Sequence, residues 1–265
     1  MISVFKKNIS RDFDKAAGNY DEHATVQRKA ADNLFSRIKG DITNNNLVLD
    51  AGCGTGYLHE LLRRNKIYCP LFQTDISYNM CKVADGYASP PEYGGTYTCR
   101  SDIENLPFAP SSIDLVFSSL TLQWTDAEKS LRQIYNVLKP KGKIAIATIG
   151  CGTLSELRES SLSLGKELYI NDNFVKDEYL KDLFVKSGFK NIEVQSDTIR
   201  MEHDNLKKLL ISIKGVGAGY KAKREVRYLG KNYFVRLEEK YKENFCSNNK
   251  LIAGWNIIYV TAEKS

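Results

Sequence analysis

Short apolar runs alternate with segments of helical periodicity through the first 150 residues of the chain. The runs are rich in branched and aromatic side chains, which is typical of strands buried inside a parallel sheet. Five such runs lie at residues 47–49, 71–74, 97–100, 113–118 and 143–149. Apolar positions recur every three or four residues at 57–65, 77–84 and 127–138, which predicts helices between them, with Ser77 as one N-cap. This alternation predicts an α/β fold with a doubly wound, mainly parallel sheet.

The segments on either side of this alternation predict further elements. Residues 13–39 have helical spacing with a break near Gly18 and Asn19, which predicts two helices before the sheet. Residues 139–142 (KPKG) are expected to form a turn that closes the third helix of the core. The later part of the chain predicts two helices and two strands, which bring the sheet to seven strands, at 154–168, 177–187, 192–200 and 251–261.

A long insertion separates the last two predicted strands. Helical patterns at 206–213 and 233–245 lie where a minimal sheet needs only a hairpin. We therefore expect four parts, which are N-terminal helices covering the active site, a core, an inserted basic helical lid and a final core strand, at residues 1–42, 43–200, 201–248 and 249–265.

The stretch with the clearest chemistry runs from residue 48 to residue 56 (VLDAGCGTG). Asp50 ends an apolar run, and Gly52, Gly54 and Gly56 allow a tight turn into the next helix, so that a ligand can approach the backbone closely. A dinucleotide loop would require glycine at position 57, where this chain has tyrosine, and would not normally place a carboxylate beside a pyrophosphate. The ligand is therefore expected to be cationic, and S-adenosylmethionine carries both an ammonium and a sulfonium.

Polar residues at the other strand ends would meet the rest of such a ligand. Asp75 follows the second strand, 25 positions after the first aspartate, where a carboxylate can accept both ribose hydroxyls, and Ile76 follows it. Asp102 and Ile103 follow the third strand and are expected to meet the adenine amine and ring face. Ser118 ends the fourth strand, at the edge expected to face the sulfonium and its methyl group.

Residues 47–149 resemble the class I S-adenosylmethionine-dependent methyltransferases, which have a Rossmann-like fold. Four further stretches, which extend over nearly the whole chain, are similar to the BioC family of malonyl-acyl-carrier-protein O-methyltransferases. These are residues 13–21 (FDKAAGNYD), 118–124 (SSLTLQW), 152–157 (GTLSEL) and 210–218 (LISIKGVGA).

The resemblance implies methyl transfer from S-adenosylmethionine to the free carboxylate of a malonyl thioester in biotin synthesis, with S-adenosylhomocysteine as the product. A malonyl carboxylate is already ionised at neutral pH, so this reaction needs alignment and desolvation rather than a general base. The carboxylate still requires hydrogen-bond donors. Tyr20 of the N-terminal helices and Gln123 and Trp124 at the edge of the fourth strand are the candidates.

The positive charge of the chain is concentrated in the insertion. The net charge is +6, and residues 202–250 hold 12 of the 38 lysines and arginines but only 6 of the 32 aspartates and glutamates. A basic surface beside a site indicates an acidic partner such as an acyl carrier protein, although a solvated helical face gives the same pattern. Lys214, Arg224 and Arg227 are candidates to bind the phosphopantetheine phosphate or carboxylates of the carrier.

Two other functions are compatible with part of the sequence pattern. A related group, the arginine-hydroxylating assembly factors of respiratory complex I, shares part of the pattern, but position 152 is Gly152 here and not acidic. An RNA methyltransferase is less favoured, because the basic segment lacks interleaved aromatics of the kind that bind single strands.

The six scattered cysteines are expected to be reduced and mostly buried, and no metal site is expected. The chain lacks an N-terminal secretory signal, which favours a cytoplasmic setting.

Overall fold

The computed structural model describes residues 4–165, 174–215 and 229–265. Its strands include a long antiparallel pair near the end of the chain. The strands are β1 (Val48–Ala51), β2 (Leu71–Asp75), β3 (Thr96–Arg100), β4 (Ile113–Ser119), β5 (Leu138–Ile149), β6 (Phe189–His203), β7 (Cys246–Ser247) and β8 (Lys250–Lys264).

One sheet contains all of these strands. Their order is β3-β2-β1-β4-β5-β8-β6, and the two-residue β7 pairs with β8 beside this path. The pairs from β3 to β5 are parallel, whereas β8 is antiparallel to both β5 and β6. The doubly wound, mainly parallel sheet with a seven-strand path, which the sequence predicts, is confirmed.

The helices lie before the sheet, between its strands and within the insertion that precedes β8. They are α1 (Val4–Ala16), α2 (Tyr20–His23), α3 (Thr25–Ile38), α4 (Tyr57–Arg64), α5 (Tyr78–Asp85), α6 (Ala127–Val137), α7 (Ser155–Leu162), α8 (Asp177–Lys186), α9 (Leu206–Gly215) and α10 (Lys231–Asn244). Ser77 caps α5 as expected, because its hydroxyl accepts the N–H of Met80 at 3.2 Å.

The central strands are buried on both faces, which explains their continuous apolar sequence. In β1, Val48 packs in one core cluster with α3, α4, α9 and α10, while its neighbour Leu49 packs in the other cluster with α6 and α8. In β4, Phe117 and Val116 divide between the clusters in the same way. The carboxyl ends of the central strands are thereby fixed between two layers of helices.

Several element boundaries differ from the sequence-based expectations. The described N-terminal residues form three helices rather than two, because a second break falls at Ala24, which is 1 % exposed and therefore continues the apolar spacing through the break. The expected turn at 139–142 lies inside β5. Lys141 has φ +63° there, and a register shift against β4 absorbs the extra residues, so the strand continues.

The other differences concern length and exposure. Helix α7 ends at Leu162, earlier than expected, and the last residues of that predicted helix lie outside the described ranges. All six cysteines are free, but only Cys53, Cys69 and Cys81 are buried, while Cys99 is half-buried and Cys151 and Cys246 are exposed, so half of them rather than most are buried. Among the described helices, none combines the length and the apolar character needed to cross a membrane.

The helices of the insertion pack on the sheet through an anchored tyrosine. Tyr241 of α10 is fully buried, and its hydroxyl donates a 2.7 Å hydrogen bond to the carbonyl of Ile252 in β8. Burial of this hydroxyl raises the pKa of Tyr241, which keeps it a donor. We therefore expect α10 to depend on this contact for its position.

Replacement of this tyrosine tests the anchor. Tyr241→Phe should lower the free energy of unfolding by about 1–2 kcal/mol, because a buried carbonyl loses its donor. Tyr179→Phe, on the exposed face of α8, is the control and should change the free energy by less than about 0.5 kcal/mol. Urea unfolding at pH 7 measures both, and equal values for the two variants would contradict the anchoring role.

Candidate active site

The glycine loop between β1 and α4 is a tight turn over the carboxyl edge of the sheet. Gly52 has φ +83°, and a Cβ there would lie 2.1 Å from the Thr121 hydroxyl oxygen, so no other residue fits without displacing the β4 edge. Gly56 has φ +89° and packs against Ala84 of α5. The N–H groups of residues 52 and 53 donate to the Thr74 carbonyl at 2.7 and 2.9 Å. The loop is thus held close to the end of β2.

Asp50 is a buried carboxylate at the end of this arrangement. The residue is 3 % exposed, and within the described part of the chain its side chain has no hydrogen-bond or ion-pair partner. Burial, and secondarily repulsion from Asp75, raises the pKa of Asp50 to about 8. A buried carboxylate without a partner is costly, and a cationic ligand would remove that cost.

Asp75 at the end of β2 is the second carboxylate, and it faces the same loop. Its Oδ2 accepts the N–H of Gly54 at 3.0 Å, and its Oδ1 accepts the N–H of Ser77 at 2.8 Å. Burial raises the pKa of Asp75 to about 6, although these backbone donors oppose the shift. The structure therefore brings Asp50, Asp75 and the glycine loop together, as the sequence predicts.

Helix α1 lies across the ends of β2 and β3. The Lys6 ammonium is 2.6 Å from Asp102 Oδ1 and 2.7 Å from Glu104 Oε1, and the Ser10 hydroxyl donates to the Ile76 carbonyl at 3.1 Å. Ile103 is 6 % exposed and belongs to the core cluster on the α6 side of the sheet. The predicted adenine end of the site is therefore covered by an ion pair from the N-terminal helix.

Helix α2 brings Tyr20 to the glycine loop. Burial, followed by the negative charges of Asp75 and Asp21, raises the pKa of Tyr20, so its hydroxyl remains a donor. Asp21 accepts a 2.8 Å hydrogen bond from the hydroxyl of Thr55 in the loop, and its other oxygen is 3.3 Å from the Arg28 guanidinium. These contacts fix α2 against the loop that carries the cofactor candidates.

The loop after β4 closes the site on the remaining side. Gln123 is held at both ends, because its amide N–H donates to the Leu120 carbonyl at 2.7 Å and its oxygen accepts from Thr148 at 3.1 Å. One N–H of Gln123 is left for a ligand. Trp124 packs edge-on against Phe13 of α1, with ring centroids 5.9 Å apart.

Of the remaining predicted site residues, only Ser118 has a described side chain. Ser118 is fully buried, and its hydroxyl donates to the Ala51 carbonyl at 2.7 Å, so its side chain orients the strand that leads into the loop. Lys214 lies in α9, but its side chain is outside the described part of the structure, as are Arg224 and Arg227 entirely. Helix α9 itself contacts α2.

Sequence reasoning missed the polar contacts that hold the N-terminal helices in place. The sequence alone predicts no partner for Lys6, and it gives Asp21 only as part of the motif at residues 13–21. Asp14 of the same motif accepts from the Ser77 hydroxyl at 2.6 Å and from the Asn79 N–H at 3.0 Å. The one signal that could have found these contacts is the placement of short polar residues within an otherwise helical segment.

The chemistry that this arrangement allows is limited by its donor and acceptor groups. Two carboxylates lie at the turn, and α2, whose Asp21 accepts from Thr55 of the loop, carries the protonated hydroxyl of Tyr20. Within the described ranges, no group of three or more His, Cys, Asp or Glu side chains is spaced to hold a metal ion. The two carboxylates and the protonated hydroxyl of Tyr20 suit an organic ligand with a cationic group and hydroxyls.

Comparisons with known proteins agree with this geometry. Residues 49–146 match the family model described as a methyltransferase domain. The chain is 30 % identical, over 98 % of its length and 90 % of the relative's, to a malonyl-[acyl-carrier protein] O-methyltransferase from Methylovorus sp. (strain MP688). It is 32 % identical, over 99 % of both chains, to malonyl-[acyl-carrier protein] O-methyltransferase 2 from Ilyobacter polytropus.

Solved structures share the fold. A phosphoethanolamine N-methyltransferase 2 from Haemonchus contortus, in complex with S-adenosyl-L-methionine, has a TM-score of 0.59 and 22 % identity, and the match covers 99 % of this chain and 60 % of that one. At this identity the likeness concerns the fold alone.

The raised pKa of Asp50 predicts a pH dependence of stability. Its pKa of about 8 in the folded state is above the unfolded value near 4, so its contribution is fully present below about pH 4 and is lost as the pH rises through 8. Asp50→Asn keeps the shape without the charge. From pH 5 to pH 8, the difference in free energy of unfolding between Asp50→Asn and the unmodified chain should therefore grow by about 2–4 kcal/mol in favour of the variant.

Urea unfolding of the ligand-free protein at both pH values measures this gain. Asp182→Asn, at an exposed position of α8, is the matched control and should show the same pH dependence as the unmodified chain. An Asp50→Asn profile parallel to that of the unmodified chain would show that Asp50 is ionised in the folded protein, contrary to the account above.

Proposed function

Because the chain belongs to the malonyl-[acyl-carrier protein] O-methyltransferase family, we propose that it methylates the free carboxylate of a malonyl unit on an acyl carrier protein, with S-adenosylmethionine as the methyl donor. This reaction is an early step of biotin synthesis. The observation that carries the proposal is the full-length similarity of the chain to these relatives. The unpaired Asp50 beside the glycine loop supports the choice of a cationic cofactor.

The residues at the carboxyl edge fit S-adenosylmethionine group by group. Asp50 is assigned to the ammonium, because it is buried and lacks a partner. Asp75 is assigned to the ribose hydroxyls, since its oxygens lie at the end of β2 and are only partly used by backbone donors. Asp102 and the backbone after Ile76 are assigned to the adenine end. When bound, the cofactor supplies an electrophilic methyl group on its sulfonium.

The residues of the acceptor site have to bind the malonyl carboxylate and remove it from water. Tyr20 is assigned as a donor to the malonyl carboxylate, because its hydroxyl stays protonated next to the loop. The free N–H of Gln123 and the indole N–H of Trp124 are assigned to the same carboxylate. Holding the two reacting groups in line can contribute about 7–11 kcal/mol, so no titrating base is required.

We assign to the insertion the role of binding the acyl carrier protein. Its excess of positive charge suits an acidic partner, and α9 contacts the helix that carries Tyr20. We propose that Lys214, Arg224 and Arg227 bind carboxylates of the carrier and that residues 201–248 act as a lid over the bound malonyl unit. Free cysteines are consistent with the cytoplasm as the compartment of the reaction.

A labelling experiment tests the function. The protein is incubated with methyl-labelled S-adenosylmethionine and malonyl carrier protein, and acetyl carrier protein, which lacks the free carboxylate, serves as the control. We expect a base-labile methyl ester on the malonyl carrier alone. Cofactor binding without any ester, together with hydroxylation of an arginine or transfer of label to RNA, would overturn the proposal in favour of one of the two alternative functions.

Replacement of Tyr20 tests the proposed acceptor site. Tyr20→Phe removes one hydrogen bond to the carboxylate while the ring remains, so kcat should fall by about 10- to 100-fold. The KM for S-adenosylmethionine should change by less than about twofold. Tyr78→Phe, an exposed tyrosine on α5, is the control. Steady-state kinetics with malonyl carrier protein measures both, and an unchanged kcat for Tyr20→Phe would remove the hydroxyl from the mechanism.

A further inference from the structure

A half-open cavity of about 210 Å³ lies between α1 and the ends of β2 and β3, beside the edge that carries the cofactor candidates. Three positively charged side chains line it, together with one hydroxyl, one carboxylate and one isoleucine. The described lining consists of Lys7, Ser10, Arg11, Asp14, Ile76 and Arg100. None of the three cations has a role in the function proposed above.

Arg100 is oriented in the wall of this cavity by two contacts. Its Nε donates to the Ile76 carbonyl at 2.8 Å, and its Nη2 donates to the Ser10 hydroxyl at 3.4 Å. A guanidinium has five N–H donors, so three remain directed elsewhere. Within the described ranges Arg100 has no carboxylate partner. An oriented guanidinium with free donors is the preferred protein group for a phosphate or a carboxylate.

The facing helix adds two cations one turn apart. Lys7 is exposed and has no ion-pair partner within the described part of the chain. Among the described residues, the polar contacts of the Arg11 guanidinium are a donation to the Asn8 side chain at 3.2 Å and a more distant ion pair with Asp12 at 3.9 Å. The carboxylate of the cavity, Asp14, accepts from two neutral donors of the β2–α5 turn and keeps its charge, which offsets only one of the three cations. The uncompensated charge of the cavity is therefore positive.

The cavity is distinct from the ion pair that covers the adenine end. Lys6 points inward, with its side chain 10 % exposed and bound to Asp102 and Glu104, whereas the adjacent Lys7 is exposed on another face of α1. Along the axis of α1, six residues, about 9 Å, separate Lys7 from Phe13, which packs on Trp124 and lies on the face of the helix that carries Lys6. An extended pantetheine arm can span that distance along α1.

We propose that this cavity binds the phosphate ester at the distal end of the pantetheine arm, the group that acyl carrier protein and coenzyme A have in common. The inference rests on the proposed function, because it takes the malonyl thioester as the acceptor. Lys7, Arg11 and Arg100 bind the phosphate, and the arm runs along α1 toward Tyr20 and Trp124. In this proposal the phosphate binds beside α1, whereas the basic insertion binds the protein surface of the carrier.

Kinetics with three acceptors tests the phosphate site. The acceptors are malonyl carrier protein, malonyl coenzyme A and malonyl pantetheine, and only the last lacks the phosphate. In the Lys7→Ala/Arg11→Ala variant, KM for the first two should rise about tenfold, while KM for malonyl pantetheine and for S-adenosylmethionine stays within twofold. The Lys15→Ala/Lys82→Ala variant removes the same charge from exposed positions outside the cavity and should match the unmodified chain.

The other outcomes overturn the proposal. Equal shifts for all three acceptors, or no shift, would exclude a phosphate site, and a shift for the carrier alone would indicate contact with the carrier's surface instead. If the unmodified chain esterifies none of the acceptors, the proposed function itself fails.

A binding measurement separates failure of the proposed function from failure of the phosphate site. Calorimetric titration of the protein with phosphopantetheine and with pantetheine, in the presence of S-adenosylhomocysteine, should show tighter binding of the phosphorylated compound. This preference should disappear in the Lys7→Ala/Arg11→Ala variant. Equal binding of both compounds by the unmodified chain would overturn the phosphate site whatever its activity.

Discussion

The buried, unpaired carboxylate of Asp50 is the constraint on which the rest of the site depends. The sheet is covered on both faces, so that Asp50 at the end of β1 is only 3 % exposed. The loop N–H groups of residues 52 and 53 donate to the Thr74 carbonyl and that of Gly54 donates to Asp75, and none of these three reaches Asp50. The second carboxylate, Asp75, adds repulsion. Burial raises the pKa of Asp50 to about 8, so its protonated form predominates in the ligand-free protein at neutral pH, and a group that brings positive charge would favour the ionised form.

The N-terminal helices complete this site from outside the sheet. Helix α1 contacts three strand ends, through Lys6 to Asp102, Asp14 to Ser77 and Phe13 to Trp124, and α2 contacts the loop after β1 through Asp21 and Thr55. Because these contacts extend from the end of β3 to the end of β4, α2 is held at the glycine loop while α1 forms the wall of the cavity beside it. The N-terminal helices therefore adjoin the glycine loop and the strand ends at which the cofactor and the acceptor are proposed to bind.

The parts of the structure that local sequence determines could be predicted. Buried parallel strands leave continuous apolar runs, so the ends of β1, β2 and β4 and the residues that follow them were found, including Asp50, Asp75 and the cap at Ser77. The break at Ala24 and the irregularity at 139–142 were missed, because a buried alanine and a bulge leave the apolar pattern intact. The bridge from Gln123 to Thr148 and the ion pair of Lys6 join residues far apart in sequence, and one sequence without relatives carries no signal for such pairs.

The central claim is that Asp50 binds the cofactor ammonium, and proton release on binding tests it most directly. At pH 6.5, Asp50 with a pKa near 8 is protonated in the ligand-free protein, whereas the ligand's ammonium is charged. Titration calorimetry with S-adenosylhomocysteine in buffers of different ionisation enthalpy should therefore show release of about one proton per bound ligand, and Asp50→Asn should abolish that release. Binding by the unmodified chain without proton exchange would contradict the assignment.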